Sequence, residues 1–169
     1  MKKKLLLLLW CIMGVVSANA QKFALIDMEY ILEKIPAYQQ ANNQLNQLSQ
    51  RYQKEIDAKA KEAENLYKAY QKNASSLSAS QRNQQEEAIV SKEKEMMELR
   101  QKYFGPEGEM SKQQEKLISP IEDKIYEAVK QISLQKGYDA VLDRASATGL
   151  IFASPRIDIS DEVLARLGY

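Results

Sequence analysis

The sequence predicts an α+β fold in which a small β body, formed by both chain ends, carries a long inserted antiparallel helical hairpin. Three observations point there. Short apolar, β-prone runs stand near the two ends: "KFALID" from Lys22, then "GYDAVLDRA" from Gly137 and "TGLIFASP" from Thr148. Residues 37–136, between them, are almost all polar helix formers. Within that stretch the sparse apolar residues recur at the three- and four-residue steps of a coiled-coil seam.

The chain opens with targeting chemistry. Lys2, Lys3 and Lys4 precede an apolar run from Leu5 to Val16, and Ala18-Asn19-Ala20 supplies the small residues that a signal peptidase accepts. Residues 1–20 therefore read as a signal peptide cleaved after Ala20. The run is shorter than the roughly 20 apolar residues that cross a bilayer. Trp10 stands where a lipid anchor on Cys11 would need a small residue. Cleavage removes Cys11, the sole cysteine, and the sequence has no histidine. It also turns 24 basic against 23 acidic residues into 21 against 23, a net of −2. Strong attraction to nucleic acid or to an anionic membrane is not expected from that balance.

The arm, residues 37–136, comes next. Leu45, Leu48, Tyr52, Ile56, Ala60, Ala63, Tyr67, Tyr70, Ala74 and Leu77 are spaced 3, 4, 4, 4, 3, 4, 3, 4, 3. The repeated fours near Ile56 act as stutters in the supercoil. The return limb is less regular, running through Ile89, Met96, Leu99, Tyr103, Met110, Leu117, Ile121, Ile125, Val129 and Ile132. Ser78-Ala79-Ser80-Gln81 fits a capping box, which places the tip at 75–78. An outbound helix from Ala37 to about Ala74 would be roughly 55 Å long. Within a break at 104–110, reflection about Leu77 sets Gly105 to Met110 opposite Ser49 to about Gln44, near the arm's root. There Gly105, Pro106 and Gly108 are expected to make a bend or hinge. Ser119-Pro120-Ile121-Glu122 reads as a second break, with Ser119 capping a restarted or kinked helix and Pro120 at its first position.

The ends make the body, residues 21–36 and 137–169. Phe23 to Asp27 is expected to pair with two C-terminal strands. "DISDEVLARLGY" reads as a closing helix with Ser160 as N-cap and Val163, Leu164 and Leu167 buried. So small a body is marginal alone, and oligomerisation would complete its core. The residues assigned to that body are Phe23, Leu25, Ile26, Val141, Leu142, Leu150, Ile151 and Phe152.

No enzyme signature and no cofactor motif is present. Asp139, Asp143, Asp158 and Asp161 cluster near the C-terminal strands, but their spacing matches no calcium loop. Nucleophilic catalysis would lack both histidine and cysteine. Neither a catalytic group nor a metal is expected.

The order of "KFALIDMEYIL", a long charged hairpin, "KGYDAVLDR" and "GLIFASPRIDISDEVLARL" resembles the Skp/OmpH family of periplasmic chaperones. The specific parts are Ile26-Asp27-Met28 and the run Asp158 to Val163. The resemblance implies a periplasmic homotrimer whose arms enclose a cavity. It also implies an ATP-independent holdase that keeps unfolded outer-membrane β-barrel proteins from aggregating there. On that reading Tyr52, Tyr67, Tyr70, Met96, Met97, Tyr103 and Phe104 are candidate client contacts, since Tyr and Met suit varied apolar shapes. Most lie on or beside the seam, whereas Met97 and Phe104 stand one step off it. Better-known family members are basic and hold lipopolysaccharide; the near-neutral charge here argues against strong contact with it. The alternative is a coiled-coil envelope scaffold that binds one folded partner.

Overall fold

A computed structural model describes residues 21–169; the signal peptide assigned to 1–20 lies outside the described residues. Strand β1 (Phe23–Ile26) leads directly into helix α1 (Met28–Lys34). Asp27 caps that helix, its carboxylate accepting from the Tyr30 backbone N–H at 2.9 Å. Pro36 ends it. Proline pushes the preceding residue out of the α region, and Ile35 is extended at φ −89°, ψ 113°. Pro36 then opens α2 (Pro36–Asn73), 38 residues that make a rod of about 57 Å.

A 3₁₀ turn at Ala74–Ser76 reverses the chain. Ser78 accepts from the Gln81 backbone N–H while the Gln81 side chain accepts from that of Ser78, the capping box that starts α3 (Ala79–Phe104). After a turn at Gly105–Gly108, α4 (Glu109–Lys136) completes the return limb. It ends on Gly137, at φ 69°, where glycine avoids the left-handed penalty. Helix α4 is continuous through Pro120, so of the restart or kink expected at Ser119-Pro120 the restart does not occur. An interior proline costs a helix about 3 kcal/mol. Ile118, Ile121 and Ile125 on either side of it are buried and hold the helix to its neighbours, while the Pro120 ring faces solvent.

Strand β2 (Ala140–Asp143) pairs in parallel with β1, Phe23 opposite Ala140 and Ile26 opposite Asp143. The expected third strand does not form. Residues 148–154 are irregular, and the place beside β1 is taken by a single bridge between Leu25 and Asp158. Leu150, Ile151 and Phe152 are accordingly exposed. Helix α5 (Ser160–Leu167) closes the chain, but Ser160 is its first residue and not its N-cap. Its hydroxyl is buried and accepts from the Asp27 backbone N–H at 2.8 Å, while Asp158 accepts from both the Ser160 N–H and its hydroxyl.

The main core lies in the body. Ala24 and Ile26 from β1, Ile31 and Leu32 from α1, Ile125 and Ile132 from α4, and Val163 and Leu164 from α5 meet there. Polar bonds tie its rim. Arg144, just past β2, donates to Asp27 at 2.8 and 3.1 Å and lies 3.4 Å from Asp158. The Tyr30 N–H and then the Arg144 guanidinium hold the Asp27 carboxyl below its ordinary value. Stability from a lowered carboxylate is complete above about pH 4 and drains away as pH falls through the folded value. Asp27→Ala should cost about 0.5–2 kcal/mol at pH 7 by urea unfolding. Asp27→Asn, which has nothing to protonate, should lose less stability than the parent between pH 4 and pH 2. Parallel losses would show that Asp27 is not held by these bonds.

Candidate functional site

Two surfaces are candidates, the arm and the unfinished side of the body. On the arm, α2 runs antiparallel to α3 distally and to α4 near the root. Tyr52 and Tyr103 stack face to face between the limbs, with ring centroids 3.9 Å apart and planes 4° apart. Phe104 packs its edge against Tyr52 at 6.3 Å. Ile56 lies beside them, with Leu48, Met96, Leu99 and Met110 packed around. The Tyr103 hydroxyl donates to Glu55, and that acceptor pushes the phenol above its ordinary pKa.

Further out the seam thins to Ala60 and Ala63, and charge takes over. Lys59 lies 3.3 Å from Glu95 across the hairpin and 3.2 Å from Glu62 on its own helix. Lys92 lies 3.4 Å from Glu62 and 2.9 Å from Glu95. Hydrogen bonds from the lysines lower the carboxyls of Glu62 and Glu95, and Glu95 first among its partners raises Lys92. Single exposed pairs contribute little, but four alternating charges form a network across the narrowest part of the seam.

These contacts sort the seven candidate client residues. Tyr52 and Tyr103 are 8% and 7% exposed, so the hairpin interior uses them. Met96 is partly buried in the same cluster. Tyr70 is half-buried near the tip, its hydroxyl donating to Glu86, which pushes it above the usual phenol value. Tyr67, Met97 and Phe104 remain exposed. Sequence reasoning passed over Leu66 and Val90 on the arm and Tyr126 and Leu134 on α4, all exposed apolar side chains. Val90 carried a signal, since it precedes Met97 and Phe104 by steps of seven.

The body residues divide as well. Ile26 lies in the chain's own core, Val141 packs against it, and Leu25 is buried beside the Asp158 bridge. Phe23, Leu142, Leu150, Ile151 and Phe152 are exposed, with Ile151 fully so and Phe152 at 82%. Strand alternation puts Phe23 and Leu142 on the sheet face turned away from the helices. The four carboxylates weighed for calcium serve other partners. Asp139 accepts from the Lys22 N–H, Asp143 from those of Met28 and Ala145, Asp158 from Ser160, and Asp161 from the Tyr30 hydroxyl. Burial works against the Asp143 charge, but its hydrogen bonds outweigh that and lower its pKa. Among the described residues no group of three or more acidic side chains could hold a metal ion, and no helix is long and apolar enough to cross a membrane.

A family model described as "Outer membrane protein (OmpH-like)" matches residues 22–167. The chain is similar to the "Chaperone protein Skp" of Yersinia enterocolitica, with 25% identity over 153 residues covering 89% of this chain and 88% of that one. It is 23% identical over 150 residues to the protein of the same name from Pectobacterium atrosepticum, covering 88% and 86%. Among solved structures, a Caulobacter crescentus protein described as an OmpH-like outer membrane chaperone superposes with a TM-score of 0.64. It shares 17% identity, with 88% of this chain and 85% of that one covered, and shows a common fold.

The turn between α3 and α4 is closely packed. Gly105 donates to the Gln101 carbonyl and Gly108 to that of Gly105, both at 2.9 Å. A Cβ on Gly108 would lie 2.8 Å from the Tyr103 carbonyl oxygen and 2.9 Å from the Gly105 backbone. Gly108→Ala should therefore destabilise the protein by about 1–3 kcal/mol, through overpacking. Glu107→Ala, at an exposed position of the same turn, should stay within about 0.5 kcal/mol of the parent. Urea unfolding of both variants checks this, and equal midpoints would contradict the close approach.

Proposed function

Because this chain belongs to the OmpH-like outer membrane protein family, we propose that it is an ATP-independent periplasmic holdase chaperone for unfolded outer-membrane β-barrel proteins. Relatives named as Skp chaperones align with nearly its whole described length, which supports the chaperone class. The observation that carries the rest is the division of labour within the chain. A rod of about 57 Å stands on a body whose own apolar surface is incomplete.

Self-association meets the body's need. Phe23 and Leu142 on the outer sheet face, with Leu150, Ile151 and Phe152 in the neighbouring loop, are suited to burial against further copies. Three copies joined at their bodies would space three arms around a cavity. Holding an unfolded chain there requires no catalytic group. It requires screening from other chains and contacts weak enough to release. A near-neutral arm provides contact without strong charge selection, so lipopolysaccharide binding is expected to be weak.

The test begins with the mass in solution of residues 21–169. A trimer is expected. Unfolded outer-membrane β-barrel proteins are then diluted from urea into buffer with and without it, and light scattering is followed. Suppression near one trimer per client supports the reading. A monomer, or unchanged scattering, removes it. A fixed complex with one folded envelope protein, with no effect on unfolded barrels, would assign a scaffold role instead.

A further inference from the structure

The two edges of the hairpin differ in chemistry. On α3 the side chains turned toward α2 include Ile89, Met96 and Tyr103, at steps of seven. Seven residues are nearly two helical turns, so the residue following each of these falls on one flank and the residue preceding each on the other. The preceding flank holds Glu95, which joins the network with Lys59, Glu62 and Lys92 across the hairpin. The following flank holds Val90, Met97 and Phe104, which are 61%, 63% and 40% exposed. One edge is sewn shut by charge, and the other presents an apolar stripe with anchors about 10 Å apart.

We infer that this stripe is the edge of the arm that touches the client, and that its occupant is an unfolded apolar chain segment and not a second arm. The inference rests on the holdase reading. A second helix would need apolar residues at both alternating seam positions. Here the positions that alternate with Val90, Met97 and Phe104 are Glu86, Glu93 and Arg100. Pairing with another arm would bury those charges. The three anchors also offer only a few hundred Å² together, well short of the roughly 800 Å² per partner in a stable protein complex. Such a stripe suits weak contacts made one at a time, as transient holding demands. Beside Phe104 the surface continues over Ser49, Gln50 and Gln53, uncharged side chains that can meet an unfolded backbone, with Arg100 as its one charged neighbour.

The experiment places a photo-crosslinking residue singly at Val90 or Met97, and for comparison at Ala88 or Lys102 on the opposite flank. Each assembled protein receives a urea-unfolded outer-membrane β-barrel protein, and adducts are read by mass. Several-fold more client adduct at 90 and 97 than at 88 and 102 is expected. Val90→Ser combined with Met97→Ser should raise the concentration needed for half-maximal client binding about ten-fold, since each apolar anchor is lost. Circular dichroism of this variant should match the parent, because both side chains lie off the seam. Equal adducts on both flanks, with client still held, would overturn the stripe and leave the holdase reading intact. Predominant arm-to-arm adducts would overturn the choice of occupant. No client held by the unsubstituted protein would fail the holdase reading, and this inference with it.

Discussion

The structure hangs on one clasp. Arg144 and Asp27 are 117 residues apart in sequence, and the guanidinium joins the end of β1 to the end of β2 while also lying near Asp158. Ser160 completes the clasp, its buried hydroxyl taking the Asp27 N–H and bonding to the Asp158 carboxylate. Everything between β1 and β2 is therefore a single long insertion closed at this point. Closing a loop of this length costs on the order of 4 kcal/mol in chain entropy, before helix formation shortens the effective path. The clasp and the apolar core beneath it offset that cost together. Charge-assisted bonds gain from the partial burial of Asp27, whose side chain is 18% exposed.

Cohesion along the arm changes from root to tip. At the root, α2 and α4 share apolar contacts that continue into the body core. Midway the aromatic stack of Tyr52 and Tyr103 carries the seam, and beyond it Ala63 leaves little apolar area to bury. The Lys59–Glu62–Lys92–Glu95 network stands at that level and not elsewhere along the seam. Long charged side chains can bridge helices from the edge while the axis between them stays thin. Their attraction weakens with salt, whereas the aromatic stack does not depend on it. Distal cohesion is thus set partly by solution conditions, and root cohesion by burial.

Much of this was legible because it is written in local signals. Pro36 forces an extended residue before a helix, Ser78 with Gln81 starts one, and Gly105-Pro106-Glu107-Gly108 stops one; each works within a few residues. The seam was legible because periodicity survives a polar composition. Three features were not. The segment 148–154 has β-prone residues, but a strand exists only where a partner offers its backbone, and within one chain none does so there. Ser119 and Pro120 carry a helix-start pattern, yet Ile118, Ile121 and Ile125 pack strongly enough for α4 to run through it. Ser160 looked like a cap because serine before an apolar run commonly is one. Its partner Asp27 lies 133 residues away, and no local pattern could reveal that bond. Among the candidate contacts, Tyr52 and Tyr103 stand on the seam, and that periodicity, more than their residue type, points to rings stacked inside the hairpin.

In the turn between α3 and α4, residue type alone misleads about why glycine is needed. Glycines beside a proline suggest backbone freedom, but Gly105 and Gly108 have φ of −64° and −73°, values open to any residue. What excludes a side chain is space, since the Gln101 carbonyl meets one would-be Cβ and the Tyr103 carbonyl meets the other. Tyr103 therefore has three duties in one turn of helix. Its ring stacks on Tyr52, its hydroxyl reaches Glu55, and its carbonyl lies against Gly108, the N-cap of α4. Tyr103 thus ties the start of α4 to the outbound limb, alongside the direct apolar contacts of α4 with α2. Glycine at 108 lets the backbone before α4 lie against the Tyr103 carbonyl, directly behind the ring that stacks on Tyr52.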